Sequence, residues 1–199
     1  MSRTPWYVGT VLALALVASG CSGGDDEEEP TGLEVPDGVT LTEGGTELDL
    51  GESATVAYPE DAEDATALTV TVTAVDTGDI ADFSLFSLSE EDAASSPRYV
   101  RVTVVNEGPG TPGTTSLPIF AHTDDRTLLT ANSIVGSFEP CPPTPVPADL
   151  EAGEEIEQCL VYLLPADRQV ESIDLQVTDA ASAIRWTVPA PEDTPAPEE

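Results

Sequence analysis

The chain's single histidine, His122, stands in the run His122-Thr123-Asp124-Asp125, and serines are plentiful around it. A histidine, a carboxylate and a serine are the three groups of a nucleophilic hydrolase. No Gly-x-Ser-x-Gly elbow marks any serine as a nucleophile. His122 is therefore expected on a strand or loop surface, sharing a face with Ser116 and Phe120, and no catalytic residue is assigned. Asp76, Asp79 and Asp82 in "DTGDIAD" place three hard oxygen donors at a strand end, the donor type that calcium takes. Their spacing is not that of an EF-hand, and with 38 acids in the chain such clusters arise by chance. No metal site and no cofactor is expected, with a weak calcium site at these three residues left open. Copper lacks a soft partner, because the one methionine is Met1. The remaining reactive side chains are the thiols of Cys21, Cys141 and Cys159.

Cys21 sits at the seam of "LVASGCSGGDDEEEP" (Leu16 to Pro30), between an apolar run and five consecutive acids. Arg3 supplies a basic start, and Trp6 to Val17 is apolar or small. That run is shorter than the roughly 20 residues a membrane-spanning helix needs; it fits the core of a secretory leader. Ala18, Ser19 and Gly20 then present small side chains to a peptidase that grips extended backbone. The "ASGC" stretch resembles a bacterial lipobox, although Ala18 holds a place where leucine is commoner. The resemblance implies that residues 1–20 are a lipoprotein signal peptide and that Cys21 becomes the lipidated first residue, its thiol being the nucleophile that forms the thioether. Residues 21–36 then form an acidic, disordered tether with too little apolar content to fold. Fifteen such residues reach at most about 50 Å, and anionic headgroups repel them.

Formal net charge is −32, with six arginines and no lysine. Such a surface repels phosphates, so a nucleic-acid partner is excluded. From Val39 onward the apolar residues recur with period two, the signature of half-buried strands. "ALTVTVTAV" sets Leu68, Val70, Val72 and Ala74 on one face. "YVRVTVVN" does the same with Val100, Val102 and Val104, "SIDLQVTD" with Ile173, Leu175 and Val177, and "AIRWTV" with Ile184, Trp186 and Val188. Trp186 is expected in the core rather than as a sugar platform. "EQCLVYLLP" (Glu157 to Pro165) is apolar on both faces, which predicts a central strand. Weaker strands are expected at Val39–Leu41, Glu47–Leu50, Ala54–Tyr58 and Ser116–His122. "NEGPGTPG" and the proline-rich "EPCPPTPVP" are irregular or extended. The stretch from Asp79 to Ser96, with Ile80, Phe83, Leu85, Phe86 and Leu88, reads as a short helix or a packed crossover. The expected fold is all-β, an antiparallel immunoglobulin-like β-sandwich of about seven to nine strands over residues 37–189. Residues 190–199 read as a disordered Pro/acid tail.

Beyond an export leader the compartment is oxidising, where Cys141 and Cys159 are expected to join. The bond closes a loop of about 18 residues, worth on the order of 3 kcal/mol. A metal pair or redox dithiol is the alternative; the spacing suits neither, and no third soft ligand is near. The blocks "VTVTAVDTGDIADFSLF", "PRYVRVTVVNEGP", "FEPCPP", "LEAGEEIEQCLVYLLP" and "IRWTVP" resemble surface lipoproteins of actinobacterial type that carry an immunoglobulin-like extracellular domain of unknown function. The resemblance implies a β-sandwich, an envelope location and a paired Cys141 and Cys159. It supplies no catalytic residue.

These readings converge on a non-enzymatic lipoprotein on the extracytoplasmic face of the cell membrane, anchored at Cys21, that binds another envelope protein or component. An accessory subunit or enzyme acting on cell-wall polymer is the rival reading, and a purely structural spacer the third.

Overall fold

The computed structural model describes residues 33–59, 65–114, 116–124 and 126–190. The leader, Cys21, most of the acidic tether and the tail lie outside the described residues. Nine strands form two packed sheets: β1 (Glu47–Asp49), β2 (Ser53–Tyr58), β3 (Thr66–Thr77), β4 (Ser96–Asn106), β5 (Ile119–Thr123), β6 (Leu128–Thr130), β7 (Glu155–Leu164), β8 (Val170–Leu175) and β9 (Ile184–Thr187). One sheet has the order β1-β9-β8-β5-β6 and the other β2-β3-β4-β7. Every neighbouring pair is antiparallel except β1 with β9, which runs parallel. The chain is thus an all-β sandwich of the expected class.

Alternation explains most of it. Ala54, Val56 and Tyr58 on β2, Val100, Val102 and Val104 on β4, and Ile173 and Leu175 on β8 share one core with Trp186. Trp186 is fully buried, and its indole Nε1 donates to Glu52 O at 2.8 Å, which satisfies the one polar atom the ring carries inward. On the opposite face of β2 and β3, serine and threonine hydroxyls bond across the strands, Thr55 to Thr69 and Ser53 to Thr71, each at 2.8 Å.

Four details depart from the sequence reading. First, "EQCLVYLLP" lies in β7, which is an edge strand and not a central one. It is apolar on both faces because Leu160, Tyr162 and Leu164 face the main core while Cys159, Val161 and Leu163 face a second cluster formed with loop residues, neither of which requires a strand on both of its edges. Second, a register shift between Val72 and Ala74 in the β3–β4 pairing reverses the alternation, so Val75 rather than Ala74 packs on the core. Third, Val39–Leu41 forms no strand. A turn at Gly38 (φ 92°) precedes it, and only Thr42 reaches the β2 edge, through Thr42 N to Thr55 O at 2.7 Å and Thr55 N to Thr42 Oγ1 at 2.9 Å. Fourth, β6 carries too few residues for its alternation to register in sequence.

"NEGPG" is irregular because it wraps around one buried side chain. Asn106 is fully buried. Its Nδ2 donates to Gly110 O and Leu150 O, each at 2.8 Å. Its Oδ1 accepts from Thr66 Oγ1 at 2.6 Å and Gly108 N at 3.1 Å. All its polar capacity is used, as burial demands. Gly108 is required there, since a Cβ would strike Thr66 Oγ1 and crowd Ala67 N.

Three tyrosines lie among the described residues. Burial raises the phenol pKa of Tyr58 and of Tyr162. Tyr99 is raised by burial first, then by its hydrogen bond to Asp82 and by the negative charges of Asp82 and Asp79. Above the ordinary phenol pKa of about 10, the unfolded chain releases protons that the folded chain keeps. Their contribution to stability is thus intact below about pH 10 and falls as pH rises further. In the chain without residues 1–20, which lacks Tyr7, the expected result is that absorbance at 295 nm shows tyrosinate only in step with loss of the folded circular dichroism signal. Tyrosinate formed at pH 10 with the fold intact would contradict these environments.

Candidate interaction surface

The outer face of the four-stranded sheet is roofed by two segments, and the roof has a core of its own. Tyr99 on β4 and Val161 on β7 form its floor. From one side comes the segment between β3 and β4. It holds a 3-10 turn (Ile80–Phe83) and a single helical turn, α1 (Glu90–Ala93). From the other comes the stretch around Ile134 and Phe138, ending at Cys141. Phe83 stacks on Phe138 with centroids 4.7 Å apart, and Phe86 and Tyr99 meet Phe138 edge-on at 5.7 and 5.6 Å. Three of the four phenylalanines therefore pin loops to a sheet instead of filling the main core.

Polar bonds fix the same roof. Tyr99 Oη donates to Asp82 Oδ2 at 2.8 Å. Asp79 caps the 3-10 turn by accepting from Ala81 N at 2.9 Å, and Asp82 accepts from Asp79 N at 3.3 Å. Asp76 pairs with Arg101 at 2.9 Å, and Arg101 Nη2 also donates to Pro140 O at 3.3 Å. The three aspartates considered for calcium thus serve as a cap, a tyrosine acceptor and an ion-pair partner. Among the described residues no group of three His, Cys, Asp or Glu side chains could hold a metal. Gly78 is dictated by this packing, because a Cβ there would run into the Tyr99 ring.

Cys141 and Cys159 are bonded, with Cα atoms 5.3 Å apart. The bond joins the end of the roof to β7. Asn132 secures the same edge strand, with its N–H donating to Val161 O at 2.7 Å and its Oδ1 accepting from Leu163 N at 3.1 Å. After Cys141 the proline-rich strap (142–147) follows the β7 edge, where Gln158 Nε2 donates to Thr144 O at 3.1 Å. Beneath it an open cleft of about 430 Å³ runs between β7 and the β5–β6 edge of the other sheet.

What this roof presents outward includes two large apolar side chains among acids. Leu85 is 95% exposed and Val135 89% exposed, one on each of the two interlocked segments. Phe86, Leu88 and Ile134 in the same segments are half-buried against the roof's core. Asp79, Asp82, Glu90, Glu91 and Glu139 are exposed in the same segments.

His122 lies elsewhere, on the outer face of the five-stranded sheet. Its Nδ1 is 3.8 Å from Asp174 Oδ2, which also takes Arg185 Nε at 3.2 Å. Ser172 Oγ donates to Asp174 Oδ1 at 2.5 Å. The serine is thus committed to the carboxylate and not to the imidazole, so these groups form no nucleophile–base pair. Asp124 is 4.0 Å from Arg168 instead, and Asp125 lies outside the described residues. Sequence reasoning missed the Asp174 pairing because β5 and β8 meet only through the sheet. It also missed the exposed pair, although Leu85 stands in a stretch whose apolar density was visible.

No family model and no curated protein matches the chain. Among solved structures, a secreted protein from Mycobacterium tuberculosis, MPT63, is similar, with a TM-score of 0.50 at 10% identity over 71% of this chain and 96% of that one. At that identity the likeness is one of fold. Among the described residues no helix is long and apolar enough to cross a membrane.

Proposed function

We infer that this chain is a lipid-anchored, non-catalytic binding module on the extracytoplasmic face of the cell membrane, held at Cys21 by its acidic tether. The observation that carries the binding role is the roof over the four-stranded sheet. It is braced by an aromatic cluster, an ion pair and a disulfide, yet it holds Leu85 and Val135 in solvent. Exposed apolar side chains on a rigid support suit contact with a partner. The fold likeness to a secreted protein is consistent with an exterior location. The single histidine beside a serine-bonded Asp174 supports a non-enzymatic role.

Cys21→Ala is expected to shift the protein from the membrane fraction to the soluble fraction or to leave the leader uncut. Mass spectrometry of the natural chain is expected to find a lipid-modified cysteine as residue one. An unmodified amino terminus in membrane-derived material rules the anchor out.

A further inference from the structure

We propose that Leu85 and Val135 form the contact point for a basic, amphipathic segment of a partner protein, an inference that rests on the binding-module reading above. The two side chains are the most exposed large hydrophobics among the described residues. They sit on different segments, 83–88 and 132–138, that are locked together by Phe83, Phe86 and Phe138. The segments that carry them are therefore joined before any partner arrives, and less ordering entropy remains to be lost on binding.

Charge selects the occupant. Asp82 precedes Phe83, Glu139 follows Phe138, and Glu90 and Glu91 start α1 two residues after Leu88. Arg101, the cation beside this roof, is already engaged by Asp76 and Pro140 O. A second copy of this chain docking here about a two-fold axis would set the same acids against one another. Anionic headgroups would meet the same repulsion. A segment with leucine-like side chains on one face and lysine or arginine along its borders satisfies both parts of the surface, and its charges also speed encounter.

The test uses the chain expressed without residues 1–20 and carrying Cys21→Ala, so that neither lipid nor leader is present, and a synthetic amphipathic Leu/Lys peptide as probe. Leu85→Asp with Val135→Asp is expected to weaken the peptide's affinity about tenfold or more while the melting temperature stays the same, because neither side chain is in a core. Glu90→Gln, Glu91→Gln and Glu139→Gln together are expected to flatten the salt dependence of binding. A Leu/Glu peptide is expected not to bind. Equal affinity for the parent chain and the double Asp variant overturns the proposal, since it assigns binding to acidic surface elsewhere. Concentration-dependent dimerisation abolished by Leu85→Asp, or binding to anionic vesicles, also overturns it. A photoreactive residue at position 85 or at Glu171 on the other sheet, used on intact cells, separates the two readings. Adducts from 171 alone overturn this contact point and leave the module; adducts from neither position overturn both.

Discussion

Asn106→Asp is expected to lower the stability of the folded chain by about 4 kcal/mol, in the range measured for an uncompensated buried charge. The side-chain nitrogen of Asn106 faces two carbonyl oxygens, those of Gly110 and Leu150. Replacing it with oxygen turns two hydrogen bonds into two repulsive contacts, in a site with no access to water. The other oxygen keeps its donors, Thr66 Oγ1 and Gly108 N, which offsets only part of the loss. The loss is confined to one side chain, but its effect is wide. The Asn106 backbone also bonds Glu154 O at 3.0 Å and Gly153 N at 2.6 Å, so the turn after β4 and the turn before β7 meet here. Urea denaturation is expected to show a lower midpoint at an unchanged slope. Burial raises the pKa of the introduced carboxyl in the folded state above its unfolded value. Its proton is then bound more tightly by the folded chain, so the deficit relative to the parent narrows as pH falls below the folded pKa and widens as pH rises through it. An unchanged midpoint at neutral pH would mean that the amide is not held as described.

Removing the disulfide, by Cys141→Ala with Cys159→Ala, is expected to cost about 3 kcal/mol, chiefly by releasing the unfolded chain from an 18-residue loop. For a chain of this size that is a fall in melting temperature of about 10 °C. The strap that follows Cys141 explains a second effect. Pro142, Pro143, Pro145 and Pro147 lack N–H groups, so this segment cannot bond into the β7 ladder as a strand would. The bond at Cys159, the hydrogen bond from Gln158 and the packing of Val146 against the main core hold it beside the edge. Without the bond only Gln158 and Val146 keep the strap in place, so it leaves more often and β7 is then uncovered as an unpaired edge. Concentration-dependent aggregation with retained β-type circular dichroism is therefore expected in the double variant and in the reduced protein. A thiol assay on the unfolded, unreduced chain is expected to find neither Cys141 nor Cys159 free. Two reactive thiols there, or a melting temperature equal to the parent's, would sink this account.

The sandwich itself was readable because its strands are long and alternate cleanly. β3, β4, β8 and β9 each place threonine or charge opposite valine, isoleucine or leucine, and that period of two leaves no helical alternative. Trp186 fitted the same rule: its neighbours at two-residue spacing are core residues, and it lies fully buried. Where the rule failed, a local break was responsible. The irregularity after Val72 costs one residue of register and moves Val75 inward. β7 looked central because burial on two faces is all that its composition records. Composition does not say whether a strand also pairs along each of its edges.

The candidate contact surface lies on the other side of that divide. The sequence by itself determined a strongly acidic chain, a period-two fold, a pair of cysteines suited to a bond, and a lipobox-like Cys21 beyond the described residues. These follow from net charge, alternation and short spacings, all of which are local or additive along the chain. Only the tertiary structure decided that Asp76, Asp79 and Asp82 brace a roof, that His122 faces Asp174, and that Leu85 and Val135 stand exposed on one clamped pair of segments. Each of those depends on contacts between residues tens of positions apart, brought together by strand order. An apolar residue in sequence is equally consistent with a core or a surface; which one it occupies is fixed by what the rest of the chain places over it.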